Sequence, residues 1–196
     1  NGVGITSTIK LAAEFRKENK DTPIILMGYA NPIEAIGVDN FINLIKDADI
    51  DGVITVDYPP EESSVFVSKL RKVDIDSIFL LSPTTDNDRI KLIVDQASGF
   101  LYYVSLKGVT GSSNIDIQQV ADKVNNIQKH TNLPIAVGFG VRDAKTANEV
   151  ASVSDAVVIG SRIVNEIENA DSETLITKVN SLMTEIKSAI DLKREE

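Results

Sequence analysis

Residues 133–164 read LPIAVGFGVRDAKTANEVASVSDAVVIGSRIV. Within them an apolar run, Ile135–Val137, ends in Gly138-Phe139-Gly140, and a helical stripe follows over Ala144–Ser152. A second run, Ala156–Ile159, then ends in Gly160-Ser161. Each run is too short for a helix and is bounded by Pro, Gly or Asp, so both read as strands. Two such strands joined by one helix require a right-handed parallel crossover. The glycines fall at the carboxyl ends of both strands, where backbone N–H groups can approach an anion closely.

The same alternation runs outward to both ends of the chain. Helices are predicted at about Ile5–Glu18, Ala35–Lys46, Glu61–Val73, Asp86–Gln96, Asp116–His130, Ala144–Ser152 and Ser172–Leu192. Strands are predicted at Ile24–Tyr29, Gly52–Val56, Ser77–Leu81, Phe100–Val104, Ile135–Val137 and Ala156–Ile159, each apolar enough to be buried on both faces. Glu61 and Glu62, after Pro59 and Pro60, are expected to open a helix, with Asp86 and Ser172 as N-caps. The fold class is α/β in one domain over residues 1–196. A doubly wound sheet and a TIM (β/α)8 barrel both satisfy the pattern. A barrel of eight units takes about 250 residues, and the sequence opens on a helix. Two β/α units are therefore expected to be absent, leaving about six.

Composition narrows the function. The 196 residues carry 20 Lys and Arg against 29 Asp and Glu, a net charge of −9 that disfavours nucleic acid. No apolar run is long enough to span a membrane, and a cytoplasmic location is expected. Without cysteine, and with His130 as the one histidine, neither thiolate chemistry nor a metal site is expected. His130 ends a predicted helix, where it suits the dipole better than catalysis. An anionic ligand would have to be met locally.

Three glycine-bearing segments could meet it: Lys107-Gly108-Val109-Thr110-Gly111, Gly138 to Arg142, and Gly160-Ser161-Arg162-Ile163-Val164. Ile163–Ile167 is expected to be the short extra helix whose N-terminus completes a phosphate site in such barrels. Ser161 adds a hydroxyl donor. Arg142 and Arg162 are read as solvated.

Tyr29-Ala30-Asn31-Pro32, Val56-Asp57-Tyr58-Pro59-Pro60-Glu61-Glu62, Gly108-Val109-Thr110-Gly111, Gly138-Phe139-Gly140 and Gly160-Ser161 together resemble the ordered signature segments of tryptophan synthase alpha subunits. The resemblance implies a barrel that cleaves indole-3-glycerol phosphate to indole and glyceraldehyde 3-phosphate in tryptophan biosynthesis. It implies no cofactor on this chain, and a beta subunit as partner in a cytoplasmic alpha2beta2 heterotetramer. By position, Gly111, Gly140, Gly160 and Ser161 correspond to the phosphate-binding backbone. Leu26, Tyr29, Val56 and Phe139 correspond to the indole pocket, and Tyr102 to a tyrosine beside the reacting carbon. Tyr103 should point the other way. Asp57 is expected to be structural or to lie at the partner interface. The family's catalytic Glu and Asp match no residue here and would lie upstream of Asn1, so the chain alone is expected to be inactive. Leu106-Lys107 departs from the basic residue and Ser of many relatives. The alternatives are a non-catalytic phosphate-binding barrel that regulates a partner, or another phosphate-binding barrel enzyme.

Overall fold

A computed structural model describes residues 2–105, 116–138 and 140–194. Among them α1 (Ile5–Glu18), β1 (Ile25–Gly28), α2 (Ala30–Ile36), α3 (Val38–Asp47), β2 (Gly52–Thr55), α4 (Ser64–Arg71) and β3 (Asp76–Leu81) come first. They are followed by α5 (Asn87–Gln96), β4 (Leu101–Val104), α6 (Ile117–Gln128), β5 (Ile135–Gly138), α7 (Ala144–Ala151), β6 (Ala156–Val158), α8 (Ser161–Glu168) and α9 (Leu175–Arg194). No helix among the described residues is long and apolar enough to cross a membrane. The chain divides into two units, residues 1–80 with 87–100 and residues 81–86 with 101–196.

In the first unit β1 pairs with β2 and β2 with β3, all parallel, with Leu26, Val53 and Ser77 in one row and Met27, Ile54 and Ile78 in the next. Rows alternate between faces. Leu26 packs with the cluster of Val53, Phe41, Ile45, Phe66 and Leu70, so its row faces the helices. Met27, on the opposite face, is 58% exposed. Arg16 ties α1 to this layer although it is only 4% exposed. Its guanidinium donates to the carbonyls of Asp49 and Thr22 at 3.0 and 2.9 Å and to Asp51 Oδ2 at 2.6 Å, the same oxygen that accepts from Ile24 N–H. A buried cation is tolerated because so many of its donors are satisfied.

In the second unit β4, β5 and β6 pair in parallel in chain order. β5 is buried at every residue. Asp116 caps α6 by accepting from Gln119 N–H at 3.1 Å. Asp143 and Thr146 form a reciprocal box at the start of α7, where Thr146 N–H donates to Asp143 Oδ1 at 2.8 Å. α7 and α9 pack on each other, with Asn148 Nδ2 donating to the Ala189 carbonyl at 2.7 Å.

Five expectations need correction. The helix expected over Ala35–Lys46 is two, because Gly37 at φ +85° breaks it. Glu61 and Glu62 do not open α4: both precede its N-cap, Ser63, in a turn where Glu62 and Ser63 N–H donate to the Pro59 carbonyl. Glu61 instead pairs with Arg89 at 2.9 Å. Ser172 is not an N-cap, since α9 begins at Leu175 and Asp171 holds the turn before it by accepting from Thr174 N–H at 2.8 Å. The short helix expected at Ile163–Ile167 is α8, which starts two residues earlier, at Ser161. Nor is every strand buried on both faces: β1 and β6 each carry an exposed residue.

Candidate functional site

In the second unit Gly138 of β5 is in register with Val158 of β6. Gly140 and Gly160 each lie two residues beyond this pair, past the carboxyl ends of neighbouring parallel strands. Gly140 has φ +87°, a conformation that L side chains rarely adopt. Gly160 is the N-cap of α8, and a Cβ built on it would meet nothing within 4 Å. Its glycine is thus not demanded by packing and leaves the backbone open to a close approach. Ile163 and Val164 N–H donate back to the Gly160 carbonyl at 2.9 and 3.1 Å. The N–H groups of Ser161 and Arg162 point out of the first turn, toward where an anion is favoured. Ser161 is exposed. Arg162 pairs along its own helix with Glu166 at 2.5 Å. Gly111 and Phe139 lie outside the described residues.

Tyr102, also in this unit, is the second residue of β4 and half-buried, whereas Tyr103 faces the other way and is 3% exposed. A Cβ on Gly138 would fall 2.6 Å from the Tyr102 hydroxyl and 2.8 Å from Val158 Cβ. The tyrosine ring therefore occupies the space that the glycine leaves. Burial pushes the Tyr102 phenol above its ordinary value, which keeps it protonated at neutral pH, a hydrogen-bond donor and not a base. The Gly138 carbonyl accepts from both Ser105 N–H and Ser105 Oγ, at 3.0 and 2.9 Å, which fixes the end of β4 beside it.

In the first unit Tyr29 and Val56 follow the ends of β1 and β2, one residue beyond the Gly28 and Thr55 register pair. They are 61% and 37% exposed. Tyr29 borders an apolar groove of about 450 Å³ whose lining includes Ile25, Leu26, Met27, Pro32 and Phe41. Leu26 lines this groove while also packing on the helix-side core. Met27 is in phase with Tyr29, and strict period-two alternation from the tyrosine would have singled it out. Asp57 Oδ1 accepts from Ala30 N–H at 2.7 Å, so it supplies the cap that Tyr29, the N-cap residue of α2, lacks. Among the described residues no group of three His, Cys, Asp or Glu could hold a metal.

A family model described as "Tryptophan synthase alpha chain" matches residues 1–191. The chain is 49% identical over 193 residues to the tryptophan synthase alpha chain of Nitrosomonas europaea, covering 98% of this chain and 70% of that one. It is 52% identical over 191 residues to that of a Janthinobacterium species, covering 97% and 72%. Among solved structures, the alpha chain of Legionella pneumophila superposes with a TM-score of 0.87 at 34% identity, over 96% of this chain and 70% of that one. The fold class is accordingly α/β with six parallel strands, a partial TIM barrel. With the glycine rim, the strand order within each unit and these likenesses in agreement, the chain belongs to the tryptophan synthase alpha chain family.

Proposed function

We propose that the protein to which residues 1–196 belong does the work of a tryptophan synthase alpha subunit, the lyase reaction that cleaves indole-3-glycerol phosphate to indole and glyceraldehyde 3-phosphate. The register of Gly138 with Val158 carries the reading, since it sets Gly140 and Gly160 at the same strand ends with the first turn of α8 beside them. In the second unit Gly140, Gly160 and Ser161, with Gly111, bind the phosphate through backbone and hydroxyl donors. Tyr102 donates near the reacting carbon, and Phe139 contacts the ring. In the first unit Tyr29, Val56 and Met27 offer an apolar wall to a planar indole, and Leu26 lines the groove beside it from the helix side. The full protein holds no cofactor, works in the cytoplasm, and hands its indole to a tryptophan synthase beta subunit in an alpha2beta2 complex.

Cleavage of the bond between the indole ring and the glycerol chain needs a proton delivered to the ring carbon. It also needs a base for the indole nitrogen and the glycerol hydroxyl. Among the described residues no carboxylate lines the groove beside Tyr29, and a protonated Tyr102 supplies no base. Residues 1–196 by themselves are therefore expected to bind the substrate without turning it over. Calorimetry with indole-3-glycerol phosphate, paired with an indole-release assay, tests both halves of the statement. Absence of binding refutes the substrate assignment, and release of indole refutes the inactivity. The missing carboxylate also favours a second reading, a non-catalytic phosphate-binding subunit that regulates its partner. Activation of a beta subunit by ligand-loaded chain, without indole release, would select it.

A further inference from the structure

Three consecutive residues after β2 are each fastened to the segment running from the end of β1 through α2. Val56 N–H donates to the Gly28 carbonyl at 2.9 Å. Asp57 Oδ1 accepts from Ala30 N–H at 2.7 Å. The Tyr58 hydroxyl donates to Glu34 Oε1. The first ties backbone to backbone, and the second ties a side-chain carboxylate to the first N–H of α2. The third reaches a full turn into α2 and is anchored at its other end in the core: the Tyr58 ring lies 5.5 Å from that of Phe66, which stacks on Phe41 at 6.2 Å.

α2 has only seven residues and no side-chain cap of its own. Isolated helices of that length are unstable, so its position depends on tertiary links. Besides these bonds, it is held by Ile33, which is 3% exposed. Tyr29, its N-cap residue, moves wherever the helix moves.

We propose that Tyr58 and Glu34 are positioning residues: their hydrogen bond locks α2 to the loop after β2 and so fixes Tyr29 against Val56 as one rigid wall for the indole ring. This rests on the reading of Tyr29 and Val56 as ring-binding residues. Neither Tyr58 nor Glu34 touches the ligand itself. The bond acts by keeping the wall in shape before the ligand arrives, which lowers the ordering cost of binding. It contributes to recognition of the ring and not of the phosphate, whose donors lie in the second unit.

The test uses Tyr58→Phe, which keeps the ring on Phe66 and removes the hydroxyl, together with Glu34→Ala and the conservative Glu34→Gln. Affinities for indole-3-glycerol phosphate and for glycerol 3-phosphate are compared on the whole chain, with melting temperatures alongside. Tyr58→Phe and Glu34→Ala are expected to weaken the indole ligand about three- to tenfold and to leave glycerol 3-phosphate unchanged. Glu34→Gln, which retains an acceptor, should restore most of the loss. The double variant Tyr58→Phe/Glu34→Ala should be no worse than either single one, since both remove the same bond. The chain has four tyrosines and no tryptophan, so ultraviolet titration follows the tyrosines alone. The last tyrosine to ionise in the native chain should ionise earlier in Glu34→Ala. Equal discrimination between the two ligands in native chain and variants, or additive losses in the double variant, would overturn the proposal. A native chain that binds indole-3-glycerol phosphate no better than glycerol 3-phosphate would instead overturn the ring-wall reading, and the positioning role with it.

Discussion

Gly138 connects backbone conformation to the chemistry proposed for the second unit. Its missing side chain is replaced by the ring of Tyr102, with Val158 Cβ closing the other side at 2.8 Å from where a methyl would stand. The tyrosine tip could swing away, but the Val158 Cβ belongs to a paired strand and cannot. Gly138→Ala should therefore cost about 1–3 kcal/mol, read from the urea midpoint, and should displace Tyr102 from its burial. A loss below about 0.5 kcal/mol would mean that the strands separate freely there. Thr55 presents the opposite case. Its Oγ1 is buried without a hydrogen-bond partner among the described residues, facing a hollow of about 10 Å³ shared with Ser63 and Ser77. Thr55→Val preserves the shape and removes the unpaired hydroxyl, and should raise stability by about 1 kcal/mol. A drop in the same urea midpoint would indicate an ordered water bridging the threonine, since a hollow of this size holds about one.

At the scale of elements, several boundaries are set by distant residues. α1 has the bounds expected from its periodicity, Ile5–Glu18, yet its attachment depends on Arg16, whose partners are 33 and 35 residues away at Asp49 and Asp51. Arg16→Met retains the apolar stem and leaves several carbonyls and a carboxylate unpaired. It should cost roughly 3 kcal/mol in chemical unfolding. The loop after β2 gives a pH prediction. The Tyr58 phenol is pushed up to about 12, first by its hydrogen bond to Glu34, then by burial, then by the negative charges of Glu34, Glu62 and Asp57. A raised value means that the folded chain holds this proton more tightly. The bond therefore contributes fully below the ordinary value of 10.0 and is lost as pH climbs toward about 12. Melting temperature measured over that range should fall more steeply in the native chain than in Tyr58→Phe. Helix and strand order was legible because each apolar run is short and punctuated. The Asp143 cap was missed although Asp143 and Thr146 stand in plain sequence spacing just ahead of the Ala144 stripe. The trans cap from Asp57 to Ala30 had no local signal: an aromatic N-cap at Tyr29 is uninformative until a loop 27 residues on is brought beside it. Leu26 and Met27 are adjacent apolar letters, and only the register with Val53 and Ile54 separates their faces.

For the molecule as a whole, charge and proposed ligand are of the same sign. A chain at net −9 repels a phosphate ester over most of its surface, so any affinity must come from a short-range arrangement. The proposed one consists of amide groups at the first turn of α8 and the glycines that follow β5 and β6. Arg162 is engaged with Glu166 along the same helix, and its charge is largely neutralised there. These facts separate two ways of holding the phosphate by their response to salt. A field of lysines and arginines would lose affinity steeply as ions screen it. Amide donors in contact with the ester act over distances far shorter than the Debye length of about 8–10 Å, whereas the repulsion from the remaining surface acts beyond it. Raising salt should consequently leave the affinity for glycerol 3-phosphate within about threefold, with any drift toward tighter binding as the repulsion is screened. Titrations at about 50 and 300 mM sodium chloride decide the matter. A tenfold weakening would transfer the phosphate from the backbone cup to side-chain cations and would require a different account of Gly140, Gly160 and Ser161.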